Sequence, residues 1–168
     1  MPERSDQELI REFQGGNKEA FEKIYYRYRD WVVGLAYRFC EDRDDSLDVL
    51  QETFSYFFRK LPDFELRANF KTFLYPVVKH LALNIKTKRR KQVSIDIVED
   101  PAVQDAKPDD SNSLLACLPE DQREIVRMRF VDEMPLADIA ETLKIPLGTV
   151  KSRLHTALKT LRDRGGVN

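Results

Sequence analysis

The feature that most constrains the fold is an acidic, proline-containing segment in the middle of the chain, from Val93 to Asn112. It includes Pro101 and Pro108, has no aromatic residue and shows almost no helical period. From Ser94 to Ser113 there are six acidic residues and one lysine. Such a segment buries too little apolar surface to offset the entropy of ordering it. The chain of 168 residues is therefore predicted to form two small domains joined by an acidic flexible linker.

Apolar residues recur with helical spacing on both sides of this linker, and the alternation typical of strands is limited to Val93–Val98. The predicted fold class is therefore all-α. In the first domain, Ser5–Asp6 is predicted to cap one helix and Asn17 to cap the next, with the break between them at Gly15–Gly16.

A third helix is predicted from about Ser46 to Leu61, after a turn at Glu41–Asp45 and before Pro62. One stripe of this helix is apolar, and the opposite stripe carries Asp45, Asp48, Glu52, Ser55 and Arg59. Acids near a helix N-terminus complement the helix dipole, which accounts for Asp45 and Asp48. The dipole does not account for Glu52, because this residue lies past the first turn.

A basic block follows this helix. The segment Leu66–Ile95 contains eight basic residues and no acidic one, and four aromatic residues lie in or beside it: Phe64, Phe70, Phe73 and Tyr75. Aromatic rings beside cations suit single-stranded DNA, since stacking stabilises each base by about 1–3 kcal/mol. Helical spacing puts most of these rings in the core. The loop Asp63–Asn69 is therefore the better candidate for holding a base extruded from the stack.

The C-terminal part predicts a helix-turn-helix. Pro135 is expected to start a short helix, Lys144–Gly148 to form a turn, and Thr149 to cap a second helix that ends near Arg164. One arc of the second helix is apolar, with Val150, Leu154, Leu158 and Leu161. The neighbouring arc carries donors, namely Lys151, Ser152, His155, Lys159 and Arg162. Charge alone would also fit a solvated amphipathic helix, whereas the preceding turn and helix favour DNA binding.

The sequence shows no pattern typical of a membrane protein, a secreted protein, a metalloprotein or an enzyme. No apolar run approaches the roughly 20 residues that cross a bilayer, and Met1–Gln14 is too acidic and polar for a signal peptide. We therefore expect no membrane insertion and a cytoplasmic location. Cys40 and Cys117 have no metal-ligand spacing around them. Since His80 and His155 are the two histidines and no phosphate loop is found, we expect no metal, no cofactor, no catalytic residue and no enzyme activity.

The string PLADIAETLKIPLGTVKSRLHTALKTL, Pro135–Leu161, resembles the domain with which bacterial sigma factors of the extracytoplasmic-function group, in the sigma-70 family, read the promoter minus-35 element. The resemblance implies that minus-35 DNA is bound by Thr149, Lys151, Ser152, Arg153, His155, Thr156 and Lys159, of which Lys151, Ser152, His155 and Thr156 would read bases. Lys144 departs from the family, which commonly has glycine at this turn position. We expect a positive φ and some strain there.

Two further strings carry the same resemblance. DVLQETFSYFF, Asp48–Phe58, resembles the helix by which these sigma factors dock on a basic coiled coil of the polymerase clamp. It implies that Asp48, Gln51 and Glu52 contact core RNA polymerase. PDFELRANFKTFLYPVVKHLALNIKTKRRK, Pro62–Lys91, resembles the family's minus-10 segment. It implies minus-10 DNA contacts by Asn69, Lys71, Tyr75, Lys79, His80, Lys86, Arg89 and Arg90.

The minus-10 segment departs from the family at three positions. Phe73 stands where tryptophan is usual, so an aromatic ring is kept and an N–H donor is lost. Pro76 interrupts a normally continuous helix, which predicts a kink or a helix start. His80 stands where asparagine or another polar residue is common, and both a DNA contact and a solvated or partly buried histidine stay open.

The resemblance covers nearly the whole chain and implies three parts. Residues 1–92 would bind core polymerase and recognise the minus-10 element, residues 93–112 would be the linker, and residues 113–168 would hold the helix-turn-helix. The implied function is a non-catalytic subunit for promoter-specific initiation, with core RNA polymerase, promoter DNA and an anti-sigma factor as partners. The alternative is an ordinary helix-turn-helix regulator whose first domain senses a ligand or dimerises. The acidic helix face and the basic aromatic segment argue against it.

Overall fold

The structure, a computed structural model, describes residues 2–96 and 114–165. The chain divides into two compact units, Met1–Val98 and Glu99–Asn168. This division falls inside the segment predicted to be a linker, and residues 97–112 of that segment lie outside the described part. Every regular element in the two described ranges is a helix. The predicted all-α class with two helical units is therefore confirmed.

Within residues 2–96 the elements are α1 (Asp6–Gln14), α2 (Lys18–Cys40), α3 (Arg43–Lys60), a 3-10 turn (Leu61–Asp63) and α4 (Phe70–Asp96). Helix α2 is central and packs against the other three α-helices. All four helices place fully buried apolar side chains in one core, including Leu9, Ile24, Leu35, Phe57, Phe70 and Leu74. Burial of each such side chain stabilises the fold by about 1.5–3 kcal/mol.

The predicted helix starts in this unit are confirmed for α1 and α2. The Ser5 hydroxyl accepts a hydrogen bond from the Glu8 backbone N–H, and the Glu8 carboxylate accepts one from the Ser5 N–H, which completes a capping box. The Asn17 side chain accepts from the Glu19 N–H at 3.1 Å. Helix α3 begins at Arg43 rather than near Ser46, because the Asp42 side chain caps it by accepting from the Asp45 N–H at 2.9 Å.

Helix α4 corrects two predictions. It runs without interruption from Phe70 to Asp96 with Pro76 inside it, so of the two alternatives predicted for Pro76, a kink or a helix start, the helix start is wrong. Proline removes one backbone hydrogen bond, but Leu74 and Tyr75 beside it are buried and hold the helix against the core. The helix also continues through the first residues of the predicted linker, 93–96, where strand-like alternation had been noted. Local alternation of β-branched residues did not outweigh continuation of an established helix.

Within residues 114–165 the elements are α5 (Glu120–Phe130), α6 (Leu136–Leu143) and α7 (Leu147–Gly165). Helix α7 packs against both α5 and α6. Leu118, Val126 and Ala157 form a buried cluster, against which the partly buried Leu154 and Leu161 pack. Ile125, Met128, Met134, Ile139 and Val150 are also buried. The predicted inward arc of the last helix is therefore present, with Ala157 as a buried member that was not predicted.

The turn between α6 and α7 is shorter than predicted. Helix α7 begins at Leu147, and the Pro146 carbonyl accepts from the N–H groups of Thr149 (3.0 Å) and Val150 (3.2 Å). Thr149 therefore lies within the first turn of α7, and its prediction as the N-cap is wrong. Lys144 ends α6 with φ 56° and ψ 45°, which confirms the positive φ expected there.

Candidate nucleic-acid and protein interfaces

Helix α7 presents a row of polar side chains away from its core. Lys151, Ser152, His155, Thr156 and Lys159 are all exposed, while Val150 on the opposite side is fully buried against the helical core. The Ser152 hydroxyl donates to the Thr149 carbonyl at 3.1 Å. The row starts in the first turns of a helix that follows a tight turn, which is the geometry with which a second helix enters a DNA major groove. The structure thus brings together five of the predicted minus-35 residues on one exposed face.

Two predicted minus-35 residues do not lie on this exposed face. Arg153 is half-buried, and its Nε lies 3.4 Å from Oδ2 of Asp121 at the start of α5. Thr149 is also half-buried. Arg153 therefore links α7 to α5, a packing role that its position on the helix did not reveal.

Helix α3 carries the predicted polymerase-binding residues on its outer face. Asp48, Gln51 and Glu52 are all exposed. Asp45, which was placed on the same stripe, is 8% exposed and faces inward instead. The outer face thus keeps two carboxylates, Asp48 and Glu52, one helical turn apart, with an amide between them.

An apolar groove lies beside these acids, between α2 and α3. A cavity of about 460 Å³ is lined by Phe21, Tyr25, Leu47, Leu50, Gln51, Phe54, Ser55 and Phe58. A second cavity of about 720 Å³ shares Tyr25, Leu47 and Leu50 with it and reaches Tyr37 and Arg43. Leu47 and Phe58 are each 47% exposed. Apolar side chains open to solvent next to exposed carboxylates can take a partner that carries both apolar and basic side chains.

Two groups of basic residues on α4 differ in their surroundings, while Lys88, Arg90 and Lys91 belong to neither group and are exposed. Toward its N-terminal end, the Lys71 Nζ lies 5.3 Å from the Trp31 ring centre and the Lys79 Nζ 5.5 Å from that of Phe39. These distances fit cation–π contacts that hold each ammonium over a ring. His80 is exposed, with its Nε2 3.1 Å from the Asn84 side-chain nitrogen. The first half of α4 thus carries two ammonium groups over aromatic rings of α2 and one exposed histidine.

The second group is already paired with acids at the start of α3. Lys86 Nζ lies 3.1 Å from Glu41 Oε2. Arg89 bridges Asp42 (2.8 Å) and Asp45 (3.1 Å) through its two terminal nitrogens. A backbone N–H of Asp45 and the Arg89 guanidinium hold the pKa of Asp42 below its usual value, whereas burial raises the pKa of Asp45. Sequence reasoning missed this cluster because its members are more than forty positions apart.

Tyr75 is the predicted DNA-binding residue whose position in the structure differs most from the prediction. Its side chain is 1% exposed, and its ring meets that of Phe39 edge to face at 6.3 Å. A residue this buried packs the core instead of contacting DNA, so its assignment to the DNA surface is corrected. Helical spacing had already put most of the aromatic residues of this segment in the core.

The loop between α3 and α4 is held at both ends. The Phe64 ring packs against Phe57 (5.2 Å between centres) and Phe73 (4.7 Å). Asn69 accepts from the Lys71 backbone N–H at 3.0 Å through its side chain and caps α4. Between these anchors Glu65 and Arg67 are exposed. The predicted base-holding loop is therefore an exposed segment with fixed ends.

The described residues contain neither a metal-binding cluster nor a membrane-spanning helix. In residues 2–96 and 114–165 there is no group of three or more His, Cys, Asp or Glu side chains that could hold a metal ion. None of the helices in the same ranges is long and apolar enough to cross a membrane.

Comparison with known families gives two matches that together cover more than half of the chain. Sigma-70 region 2 matches residues 24–92, and Sigma-70, region 4 matches residues 114–163. Similar proteins include the ECF RNA polymerase sigma factor SigW of Bacillus subtilis, 25% identical over 92% of this chain and 94% of the relative. The ECF RNA polymerase sigma-E factor of Haemophilus influenzae is 29% identical over 95% of both chains.

Two solved structures are similar in fold. CnrH, solved in complex with the cytosolic domain of CnrY, gives a TM-score of 0.70 with 20% identity, covering 97% of this chain and 98% of that one. The sigma factor RpoE, solved in complex with the anti-sigma factor NepR from Bartonella quintana, gives 0.64 with 22% identity, covering 88% and 98%.

Proposed function

The chain belongs to the extracytoplasmic-function group of the sigma-70 family, and on that premise we propose that it joins core RNA polymerase and directs promoter-specific initiation through minus-10 and minus-35 DNA. It acts in the cytoplasm as a subunit without catalytic activity of its own. Residues 1–92 bind core polymerase and the melted minus-10 element, residues 93–112 are the linker, and residues 113–168 bind the minus-35 duplex. Tethering to one enzyme and one DNA molecule makes two weak DNA contacts effective together.

The observation that carries this proposal is the outer face of α3. Asp48, Gln51 and Glu52 are exposed beside the apolar groove, whereas Asp42 and Asp45 at the start of the same helix are paired with Arg89. The outer carboxylates thus remain available for a basic partner such as the coiled coil of the polymerase clamp. An ordinary helix-turn-helix regulator does not need such a face in its first domain to bind DNA.

For DNA, the proposed contacts follow the placement of each residue. In the minus-35 groove, Lys151, Ser152, His155 and Thr156 read bases and Lys159 contacts phosphate. At the minus-10 element, Asn69, Lys71, Lys79, His80 and Arg90 make the contacts. Lys86 and Arg89 can reach phosphate only by giving up their ion pairs with Glu41, Asp42 and Asp45.

An anti-sigma factor is a proposed partner. Two proteins of similar fold, CnrH and RpoE, were solved bound to CnrY and to the anti-sigma factor NepR. A protein that covers the groove between α2 and α3 would block polymerase binding at the same acids. The inhibitor for this chain would therefore compete directly with core polymerase.

The proposal is tested by reconstitution with core polymerase. The purified protein should elute with core enzyme in gel filtration and give transcripts from defined start sites on promoters selected from genomic DNA. Glu52→Lys should abolish co-elution and transcription while the protein unfolds cooperatively at an unchanged temperature, because Glu52 is exposed. Glu22→Lys makes the same charge change at an exposed site on α2 outside the groove lining, and it should leave both activities intact.

Each outcome of this experiment is informative. A protein that binds specific duplex DNA alone but never core polymerase is an ordinary regulator, and the proposed function is wrong. Loss of cooperative unfolding in Glu52→Lys would show that Glu52 supports the fold instead of the interface.

A further inference from the structure

The last residue of α1 holds the start of the loop between α3 and α4. The side-chain nitrogen of Gln14 donates to two carbonyl oxygens, that of Leu61 at 2.9 Å and that of Phe64 at 2.8 Å. These carbonyls bracket the 3-10 turn, which is closed by a bond from the Phe64 N–H to the Leu61 oxygen at 3.1 Å. One amide group therefore fixes both ends of the turn that opens the loop.

Helix α1 is itself firmly attached, so it can serve as a support. Leu9, Ile10 and Phe13 are buried, and the Phe13 ring meets that of Phe58 edge to face at 4.9 Å. At the other end, Asp6 pairs with Arg27 of α2 at 2.5 Å. A side chain at the end of a helix fixed in this way transmits a defined position to whatever it bonds.

The loop that Gln14 holds is the one assigned above to an extruded base. Its far end is fixed by the Asn69 cap of α4, and its exposed residues Glu65 and Arg67 lie between the two anchors. Extruding a base costs a few kcal/mol, and a loop already in its binding conformation avoids a further ordering cost. Changes at the first anchor would therefore alter base capture.

We propose that Gln14 is a positioning residue for minus-10 recognition, which sets the loop Asp63–Asn69 in the conformation that holds a base extruded from the melted strand. This inference rests on the proposed function. It also gives α1 a role in DNA recognition, although α1 lies outside residues 24–92 that match region 2.

The test uses holoenzyme and fork-junction DNA whose minus-10 non-template strand is single-stranded. Gln14→Met keeps the length and helix propensity of the side chain but removes both donors. Gln7→Met makes the same change at an exposed position of the same helix and serves as the matched control. Gln14→Glu is the second variant, because an ionised carboxylate cannot donate to either carbonyl.

Binding is measured on intact DNA and on a series of DNAs with one minus-10 base removed at a time. We expect Gln14→Met and Gln14→Glu to weaken binding to intact DNA by about fivefold, on the order of one net hydrogen bond. The loss should be absent on the one DNA that lacks the base held by the loop, because the wild type then has no base to capture there. Gln7→Met should match the wild type on every DNA.

The inference is wrong if the Gln14 variants match Gln7→Met, or if their loss is the same on all DNAs of the series. A purely structural role would give that uniform loss. Failure of the wild-type protein to bind core polymerase would instead overturn the proposed function, so the two failures are distinguishable.

Discussion

Lys144 is a position where one substitution should strengthen the helix-turn-helix. It has φ 56°, and this left-handed conformation costs a residue with a β-carbon about 1–2 kcal/mol. Its side chain is exposed, so removing it loses no packing. The two hydrogen bonds that end α6, from the N–H groups of Lys144 and Ile145, come from the backbone and would remain. Glycine should therefore relieve the strain without breaking the turn.

The expected gain from Lys144→Gly follows from two opposing effects. Relief of the left-handed strain is about 1–2 kcal/mol, and the extra freedom of glycine in the unfolded chain costs about 0.5–1 kcal/mol. Taking the middle of each range, the net stabilisation is about 0.75 kcal/mol. For a small domain this corresponds to a rise of about 3–6 °C in the unfolding midpoint.

The assay separates the two units within the full chain. The single tryptophan is Trp31 in α2, so its fluorescence follows the first unit alone. Hydrogen exchange of peptides from α6 and α7 follows the second unit. Lys144→Gly should slow exchange in those peptides and leave the Trp31 transition unchanged.

Lys144→Ala is the matched control for this prediction. It removes the same charged side chain but keeps the β-carbon, so it should give no comparable gain. If Lys144→Ala stabilises the second unit as much as Lys144→Gly does, the gain comes from the lost charge, and the reasoning from φ is refuted.

The remaining predictions concern DNA binding and pH. Lys151→Ala should weaken binding to the cognate minus-35 duplex by about 1–3 kcal/mol and binding to other duplexes much less. Lys159→Ala should weaken binding to all duplexes and lower the slope of log affinity against log salt concentration by about 1. Equal losses on all sequences for Lys151→Ala would make Lys151 a phosphate contact. Arg153→Ala should leave the salt slope unchanged because this guanidinium faces Asp121, and a slope reduced as in Lys159→Ala would contradict that. Capping-box hydrogen bonds lower the pKa of Glu8, so its contribution to stability is present above the unfolded pKa and is lost as pH falls through the lower folded value. Urea unfolding should therefore show Glu8→Gln less stable than wild type at pH 7 and equal to it near pH 2, and a deficit that persists near pH 2 would contradict this origin.

Much of the fold follows from local patterns along the sequence. The Ser5 and Asn17 caps, the helix-turn-helix, the left-handed Lys144 and the exposed acids of α3 were all predicted, because each depends on neighbours within a turn or two. Two of the errors are also local in origin. Thr149 lies in the first turn of its helix and α3 starts before Ser46, because Pro146 and Asp42 begin those helices earlier.

The sequence by itself determined which faces carry charge, and the tertiary structure decided which of those charges are already used. In the sequence, Lys86 and Arg89 look like the other cations of α4. In the structure they form ion pairs with acids that the packing of α2, α3 and α4 brings close. Two uncharged residues were also placed by tertiary packing. Tyr75 is buried in the core, and Gln14 donates hydrogen bonds to a loop far along the chain. The physical reason is that periodicity specifies only the direction of a side chain on its own helix. The partner in that direction comes from a distant part of the chain and exists only once the helices have packed.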